Sequence, residues 1–248
     1  MITDSPAPAP SYLEKPVILN ANARVDLRRI GREGHPLLVI DEVLAQPEEL
    51  IDEAKRATFS RPDHTRYPGL NAALPANYSQ AIMMALRPML ERGFGIPRHL
   101  PLKFFGFFAL ATQAAEDLEP IQKVPHHDSP DPFRIAMVHY LCHNQKGGTG
   151  FFRHLATGFE GVDMKRRPFY AETAAAELEA GKDRLTHHVT TETPNFEMID
   201  HADIVFNRLV VYRSHVLHAG LLDEATLSDD PATGRLTANS FIEVARPA

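Results

Sequence analysis

The stretch Leu102-Lys-Phe-Phe-Gly-Phe-Phe-Ala-Leu110 decides how the chain folds. Side chains of an extended segment alternate between faces, so this strand carries aromatic rings on both. It has to be covered on both sides, which suits the middle of a packing of two sheets. On the N-terminal side, Leu37-Leu-Val-Ile-Asp41 after Pro36 reads as a buried strand. Pro47-Glu48-Glu49 opens a helix with proline and acidic residues in its first turn, and Leu50, Ile51 and Ala54 face inward. A turn at Arg66-Tyr67-Pro68-Gly69 precedes a second helix from about Asn77 to Leu90, striped by Ile82, Met83 and Leu86. Pro88 is expected to kink its end and Gly93 to stop it.

On the C-terminal side the expected order is strand, turn, strand. Arg134 to Leu141 is a strand, and Asn144 to Gly150 turns into Phe151-Phe152. Arg153 and His154 read as a solvated strand end. An excursion from Gly158 to Asp203 carries a helix over Ala171 to Ala180, with Ala174, Ala175 and Leu178 inward. Ile204 to Tyr212 is a buried strand, Ser214 to Gly220 turns the chain, and Leu221 to Thr233 is a polar, acidic loop. Arg235 to Val244 closes with a last strand. Helices come early, strands late, with no βαβ alternation. The pattern predicts an α+β fold: an antiparallel β core with helices on one side, its edges shielded in a jelly-roll-like double sheet.

Composition bounds the function. The 248 residues, 44% of them hydrophobic, suffice for one domain with a substantial core. A net charge of -6 and a pI near 6.1 argue against a nucleic-acid-binding surface and favour a small-molecule or peptide substrate. Cys142 alone cannot form an intrachain disulfide or an all-cysteine zinc site. No apolar run is long enough to span a bilayer and no basic, apolar leader opens the chain, so the expected location is the cytoplasm.

Pro125-His126-His127-Asp128-Ser129 is the candidate centre of the chemistry. In an extended segment His126 and Asp128 project the same way and His127 the other. A His-x-Asp pair supplies two of the three ligands of a 2-His-1-carboxylate triad, which holds Fe(II) with neighbouring positions open. A polar loop whose side chains cap backbone groups would read the same from the triplet alone.

The order of signals narrows this. His126-x-Asp128, Tyr140-Leu141, Gly147-Gly148-Thr149-Gly150-Phe151, Asn207 to Ser214 with His218 four residues on, and Arg235-Leu236-Thr237 together resemble the Fe(II)/2-oxoglutarate-dependent oxygenases of the prolyl-4-hydroxylase-like type. The resemblance covers about Leu102 to Val244. The N-terminal part, with Pro36 to Leu44 and Tyr67-Pro68-Gly69, resembles a bacterial subgroup of these proteins. The resemblance implies a double-stranded β-helix core over 102–244; pattern, composition and length add the excursion 158–203, the helical segment 36–100 and a loose, proline-rich arm over 1–15, all in one domain. The resemblance further implies His126, Asp128 and His218 as metal and catalytic ligands, Fe(II) as the metal and 2-oxoglutarate as co-substrate with O2. Arg235 would bind the distal carboxylate of 2-oxoglutarate, with Thr237 and Tyr140 as hydrogen-bonding partners. A C-H bond of a small molecule, amino acid or peptide would be hydroxylated, and a homodimer is the default assembly.

Spacing alone does not choose between His215 and His218; the family pattern selects His218, leaving His215 as a supporting or exposed residue. No other Lys or Arg lies between His218 and Arg235, and a guanidinium fork suits a carboxylate. The bland alternative for Arg235 is a strand-initiating residue paired with Asp229 or Asp230. Tyr170, Arg166 and Arg167 would shape a lid. Three other readings share parts of this pattern: a zinc hydrolase, for which His139 and His143 are candidates; a cupin-like isomerase or dioxygenase without 2-oxoglutarate; and a non-catalytic binding protein on the same scaffold.

Overall fold

A computed structural model of the chain describes residues 16–62, 67–143 and 146–245. The expected arm over 1–15, and the residues Arg66 and Asn144 that open two expected turns, lie outside the described residues. The described residues form mostly antiparallel β-sheets with few helices. Seven strands make the larger sheet, in the order β1 (Arg24–Ile30), β2 (His35–Asp41), β8 (Arg208–Arg213), β5 (Ile135–Tyr140), β10 (Leu236–Val244), β4 (Leu102–Ala111) and β3 (Gly69–Ala73). The smaller sheet has the order β7 (Phe196–Asp203), β6 (Gly147–His154) and β9 (His218–Leu222).

Strand alternation sorts the larger sheet into two faces. Leu38 and Ile40 of β2, Ile135 and Met137 of β5, Leu209 and Val211 of β8, and Leu236, Ala238 and Ile242 of β10 share one core with helices α1 (Pro47–Arg56) and α2 (Ala76–Phe94). Each such fully buried aliphatic or aromatic side chain contributes on the order of 1.5–3 kcal/mol. The alternate residues Leu37, Val39, Ala136, Tyr140, Val210 and Tyr212 pack instead with Phe151 and Ala202 of the smaller sheet. Strand β4, with rings on both faces, behaves as its sequence demands: Phe104 and Phe108 meet the helical core, while Phe105 and Phe107 line a cavity on the opposite side.

Both N-terminal helices sit where their patterns put them. α1 starts at Pro47 and buries Leu50, Ile51 and Ala54. α2 runs past its expected stop: Pro88, expected to kink the end, lies inside the helix, and the terminating residue is Gly95, left-handed at φ 63, not Gly93. The N–H groups of Gly95 and Ile96 both return to the Leu90 carbonyl, which satisfies the helix end.

The N-terminal segment does more than supply helices. β1 and β2 form a hairpin and β2 pairs with β8, so this segment extends the larger sheet. The excursion also needs correction, since its last eight residues are β7, paired along β6. Gly147-Gly148 do not turn the chain before a strand but lie within β6, where neighbouring backbones press from both sides. A Cβ on Gly147 would stand 2.0 Å from the Leu221 carbonyl oxygen, and one on Gly148 would stand 2.1 Å from that of Ala202. The strand expected from Ile204 starts only at Arg208, because Asn207 takes a left-handed conformation (φ 61). The excursion helix, α3 (Arg167–Gly181), begins four residues earlier than expected and lies against the cavity.

Candidate metal centre

Backbone pairing between distant segments builds the centre. The N–H of His126 donates to the carbonyl of His218 (2.9 Å) and the N–H of His218 donates back to His126 (2.8 Å), adding a short fourth rung beside β9. Two residues on, the Asp128 N–H donates to the Ser214 carbonyl (2.9 Å). The turn from Ser214 to His218 is thus fastened at both ends to His126–Asp128. Because His126 and Asp128 project to one side, the fastening brings His218 to the same point.

Three ligand atoms, one each from His126, Asp128 and His218, lie within 4.8 Å of one another. The His126 Nε2 to Asp128 Oδ1 distance is 3.7 Å and the His218 Nε2 to Asp128 Oδ2 distance is 3.5 Å. Ligands about 2.1 Å from one ion and at right angles stand roughly 3 Å apart. Closing the set on a metal means drawing the three atoms, spread over as much as 4.8 Å, together by side-chain adjustment. His218 Nδ1 lies 2.9 Å from the Val216 carbonyl, which only accepts; Nδ1 therefore carries the proton and Nε2 presents its lone pair. The confined position of His126, then the neighbouring His218, push its pKa down to about 4. Its side chain remains 56% exposed, because the space it faces is the cavity. The Tyr212 ring packs 4.7 Å from that of His218; burial, then the Asp128 charge, raise its phenol well above the ordinary value.

The cavity, about 860 Å³, runs between the two sheets, with apolar walls that include Phe105, Phe107 and Phe241, and α3 along one side. One end is closed by Arg235, 6% exposed, whose guanidinium stands 5.5 Å from the Tyr140 ring centre. Its Nη2 donates to the Gly148 carbonyl at 3.3 Å, whereas its Nε is buried without a hydrogen-bond partner. Asp230, one of the two carboxylates considered for Arg235, instead accepts from Ala232 and Thr233 within its own loop.

Not every candidate reaches the cavity. His126, Asp128, His218 and Arg235 line it; Thr237 and Tyr140 are fully buried behind its wall. Thr237 lies mid-sheet between β4 and β5, with its hydroxyl 3.4 Å from the Ala109 carbonyl. Tyr140 hydrogen-bonds Thr149 (2.7 Å), and it is Thr149, together with Tyr67, that lines the space near Arg235. Neither was given a site role from the sequence, although both stand in motifs that carry the resemblance, Thr149 in the glycine-rich one and Tyr67 in Tyr67-Pro68-Gly69. Burial, eased by Arg235, pushes the Tyr67 phenol up to about 12.

The remaining polar candidates separate cleanly. His215 is buried away from the cluster, edge-on to His35 at 5.2 Å. His127 stays outside the ligand cluster with its ring against Tyr170. His139 bonds Tyr78 and Asn207 on the helical side of the sheet, and His143 stacks on Phe206, so these two histidines form no joint site. Arg153 and His154 are not a solvated strand end: Arg153 pairs with Glu160 and Glu197, and His154 with Glu177 and Thr157. Arg167 and Tyr170 line the cavity, while Arg166 pairs with Glu33. No helix among the described residues is long and apolar enough to cross a membrane.

Among solved structures the chain is similar to HygX from Streptomyces hygroscopicus with nickel and 2-oxoglutarate bound, at 16% identity and a TM-score of 0.46, covering 84% of this chain and 83% of that one. It is also similar to EvdO2 from Micromonospora carbonacea var. aurantiaca complexed with 2-oxoglutarate, at 11% identity and a TM-score of 0.42, covering 91% and 95%. A third similar structure is an N-substituted L-amino acid dioxygenase from Burkholderia ambifaria AMMD, at 10% identity and a TM-score of 0.38, covering 90% and 95%. No curated protein matches the chain. The model of a family of unknown function, DUF6445, matches residues 21–242, and the chain belongs to that family.

Proposed function

We propose that the protein is an Fe(II)- and 2-oxoglutarate-dependent oxygenase that hydroxylates a C-H bond of a small molecule. One observation carries the reading: three converging ligands, two imidazole and one carboxylate, share a cavity with a buried arginine whose Nε has no partner. The donor set suits a divalent metal that keeps positions open for a chelating co-substrate and oxygen. His126, Asp128 and His218 would hold the iron. Bound together, iron, 2-oxoglutarate and O2 supply an oxidation in which 2-oxoglutarate leaves as succinate and carbon dioxide and one oxygen atom goes to the substrate.

The chain's own residues supply positioning. Arg235 offers fixed donors to the distal carboxylate of the co-substrate, its plane set by Tyr140 and Gly148. Val216 holds the His218 tautomer, and the apolar walls keep bulk water from the reacting end. For the scaffold we infer a double-stranded β-helix. Support comes from the sequence of four strands β4-β10-β5-β8 facing β9-β6-β7 with the His126 rung as a fourth.

The test is an anaerobic titration of the protein with Fe(II) and 2-oxoglutarate, followed by the weak visible charge-transfer absorption. The wild type is expected to develop the band, and His126→Ala and His218→Ala to lack it. Arg235→Ala should need roughly 10- to 100-fold more 2-oxoglutarate, the loss expected for a charged hydrogen-bond pair. A wild type without the band, or a band that persists in both histidine variants, would overturn the assignment.

A further inference from the structure

We propose that the substrate of this cavity has an apolar body and a carboxylate, and that Arg134 holds the carboxylate. The inference deepens the proposed oxygenase reading and rests on it for treating the metal end of the cavity as the reacting end.

Arg134 directly precedes β5 and lines the cavity. Its guanidinium carbon stands 4.8 Å from the centre of the Phe105 ring and 4.9 Å from that of Phe241. Cation-π contact with two rings fixes the guanidinium while leaving its N–H edges free to donate. Those edges are under-used. Nη1 is 3.5 Å from Glu243, whose side chain is 47% exposed, and Nε is buried without a hydrogen-bond partner. A buried, cationic N–H with nothing to donate to is costly in a folded protein unless a guest accepts from it.

Strand register places this group beside the metal centre and away from Arg235. Ala136, two residues after Arg134, pairs with Phe241 on one side and with Tyr212 on the other. Tyr212 packs on His218. At the opposite end of the same strands, Tyr140 pairs with Thr237, next to Arg235. A guest anchored at Arg134 would lie along the Phe105 and Phe241 rings at the level of the ligands, while Arg235 remains free for a different carboxylate.

Charge in the cavity runs opposite to that of the whole chain. The net charge is -6. The lining carries Arg134, Arg167 and Arg235 against Asp128 and Glu177, and Glu177 is committed to His154 at 2.7 Å. With Asp128 in the ligand set, the walls favour an anionic guest. One guanidinium fork matches a carboxylate; a phosphoryl dianion would call on a second cation such as Arg167, which the phosphate probe below tests.

The test measures binding to metal-free protein by thermal shift and calorimetry, so it does not depend on iron, 2-oxoglutarate or turnover. The probes are 3-phenylpropanoate and hexanoate, their amides, and phenyl phosphate. The acids are expected to bind and to raise the melting temperature, and the amides to bind at least roughly tenfold more weakly, as for loss of a charged hydrogen bond. The acid preference should fall sharply in Arg134→Gln, survive in weakened form in Arg134→Lys, and persist in Arg235→Gln; with Arg235 open in this protein, it should vanish only in the double variant Arg134→Gln/Arg235→Gln. Circular dichroism of each variant without probe establishes that it is folded; should Arg134→Gln fail to fold, the Lys variant and Arg235→Gln carry the comparison. Equal response to acid and amide, no response to either acid, tighter binding of phenyl phosphate, or loss of the preference in Arg235→Gln alone overturns the proposal. Because the charge-transfer titration tests iron and 2-oxoglutarate separately, a failure here is distinguishable from a failure of the oxygenase reading.

Discussion

His139 is fully buried in β5, with Nδ1 3.0 Å from the Tyr78 hydroxyl and Nε2 3.1 Å from Asn207 Oδ1. Asn207 Oδ1 only accepts, so Nε2 carries the proton and Nδ1 accepts from the tyrosine. Burial pushes this imidazole down to about 4, although the Asn207 contact acts the other way. Unfolded, the same group titrates near 6.5. Between those values the unfolded state binds more protons than the folded state. The stability that neutral His139 provides is therefore complete above pH 6.5 and lost as pH falls towards 4, by about 2 kcal/mol at pH 5. Urea unfolding at pH 7 and pH 5 measures it: the wild type should lose about that much more than His139→Gln, and equal losses would exclude His139 as the group responsible. At this scale the sequence is uneven. His126 and Asp128 announce themselves because they are two residues apart in an extended stretch. The third member of the proposed ligand set is some ninety residues away and reaches them through backbone pairing that no spacing encodes; only the family pattern separated His218 from His215. Asn207 was read as strand interior, although its type, tolerant of a left-handed backbone, was the available signal.

At the scale of elements, β6 is the shared partner of β7 and β9, and its first residue cannot carry a side chain. Gly147 has φ 96, and its missing Cβ would collide with the Leu221 carbonyl at 2.0 Å, an atom of backbone that cannot swing aside. Gly147→Ala is expected to destabilise the protein by roughly 2–4 kcal/mol and to loosen the β6–β9 pairing on which His218 depends. Chemical denaturation gives the first quantity and amide hydrogen exchange in β9 the second; an unchanged midpoint would mean that the strands can move apart at no cost. Strands with alternating or continuous apolar residues, such as β2, β4, β5, β8 and β10, were legible. The missed ones, β1 with Arg24-Val-Asp-Leu-Arg-Arg-Ile30, β3 (Gly69–Ala73), β7 with Phe196-Glu-Met-Ile-Asp-His-Ala-Asp203 and β9 (His218–Leu222), stand at the ends of their sheets. An edge strand is held by its ladder to one neighbour more than by burial, so its composition stays polar and carries little pattern.

Across the whole molecule, the two sheets are tied by one buried carboxylate as well as by apolar packing. Glu160 is fully buried beyond the end of β6 and accepts from the backbone N–H groups of Arg32 and Glu33, both 2.9 Å, in the turn that joins β1 to β2. Arg153 of β6 donates to it through Nε at 2.9 Å and through Nη2. Burial alone would raise this carboxyl; the donors from Glu33, Arg32 and Arg153 outweigh it and hold the pKa below the ordinary value. The turn is shaped to receive it, since a Cβ on Gly31 would stand 2.1 Å from Glu160 Oε2. Sequence could show neither partner of this tie, because charge runs such as Arg29 to Glu33 ordinarily mark a solvated turn. Two consequences follow from a buried anion held by four N–H groups of three residues. Glu160→Gln keeps the shape but removes the charge, leaving Arg153 with only the half-exposed Glu197, and should cost on the order of 3–5 kcal/mol, the usual penalty for orphaning one partner of a buried pair. Since the folded-state pKa is depressed, the contribution is present at neutral pH and is lost as pH falls through the carboxylate range, so the deficit of Glu160→Gln relative to wild type should shrink in acid. Urea unfolding of both proteins at pH 7 and pH 4 measures the deficit and its decline; a deficit that stays constant would place the energy in shape alone and not in the charge that joins the sheets.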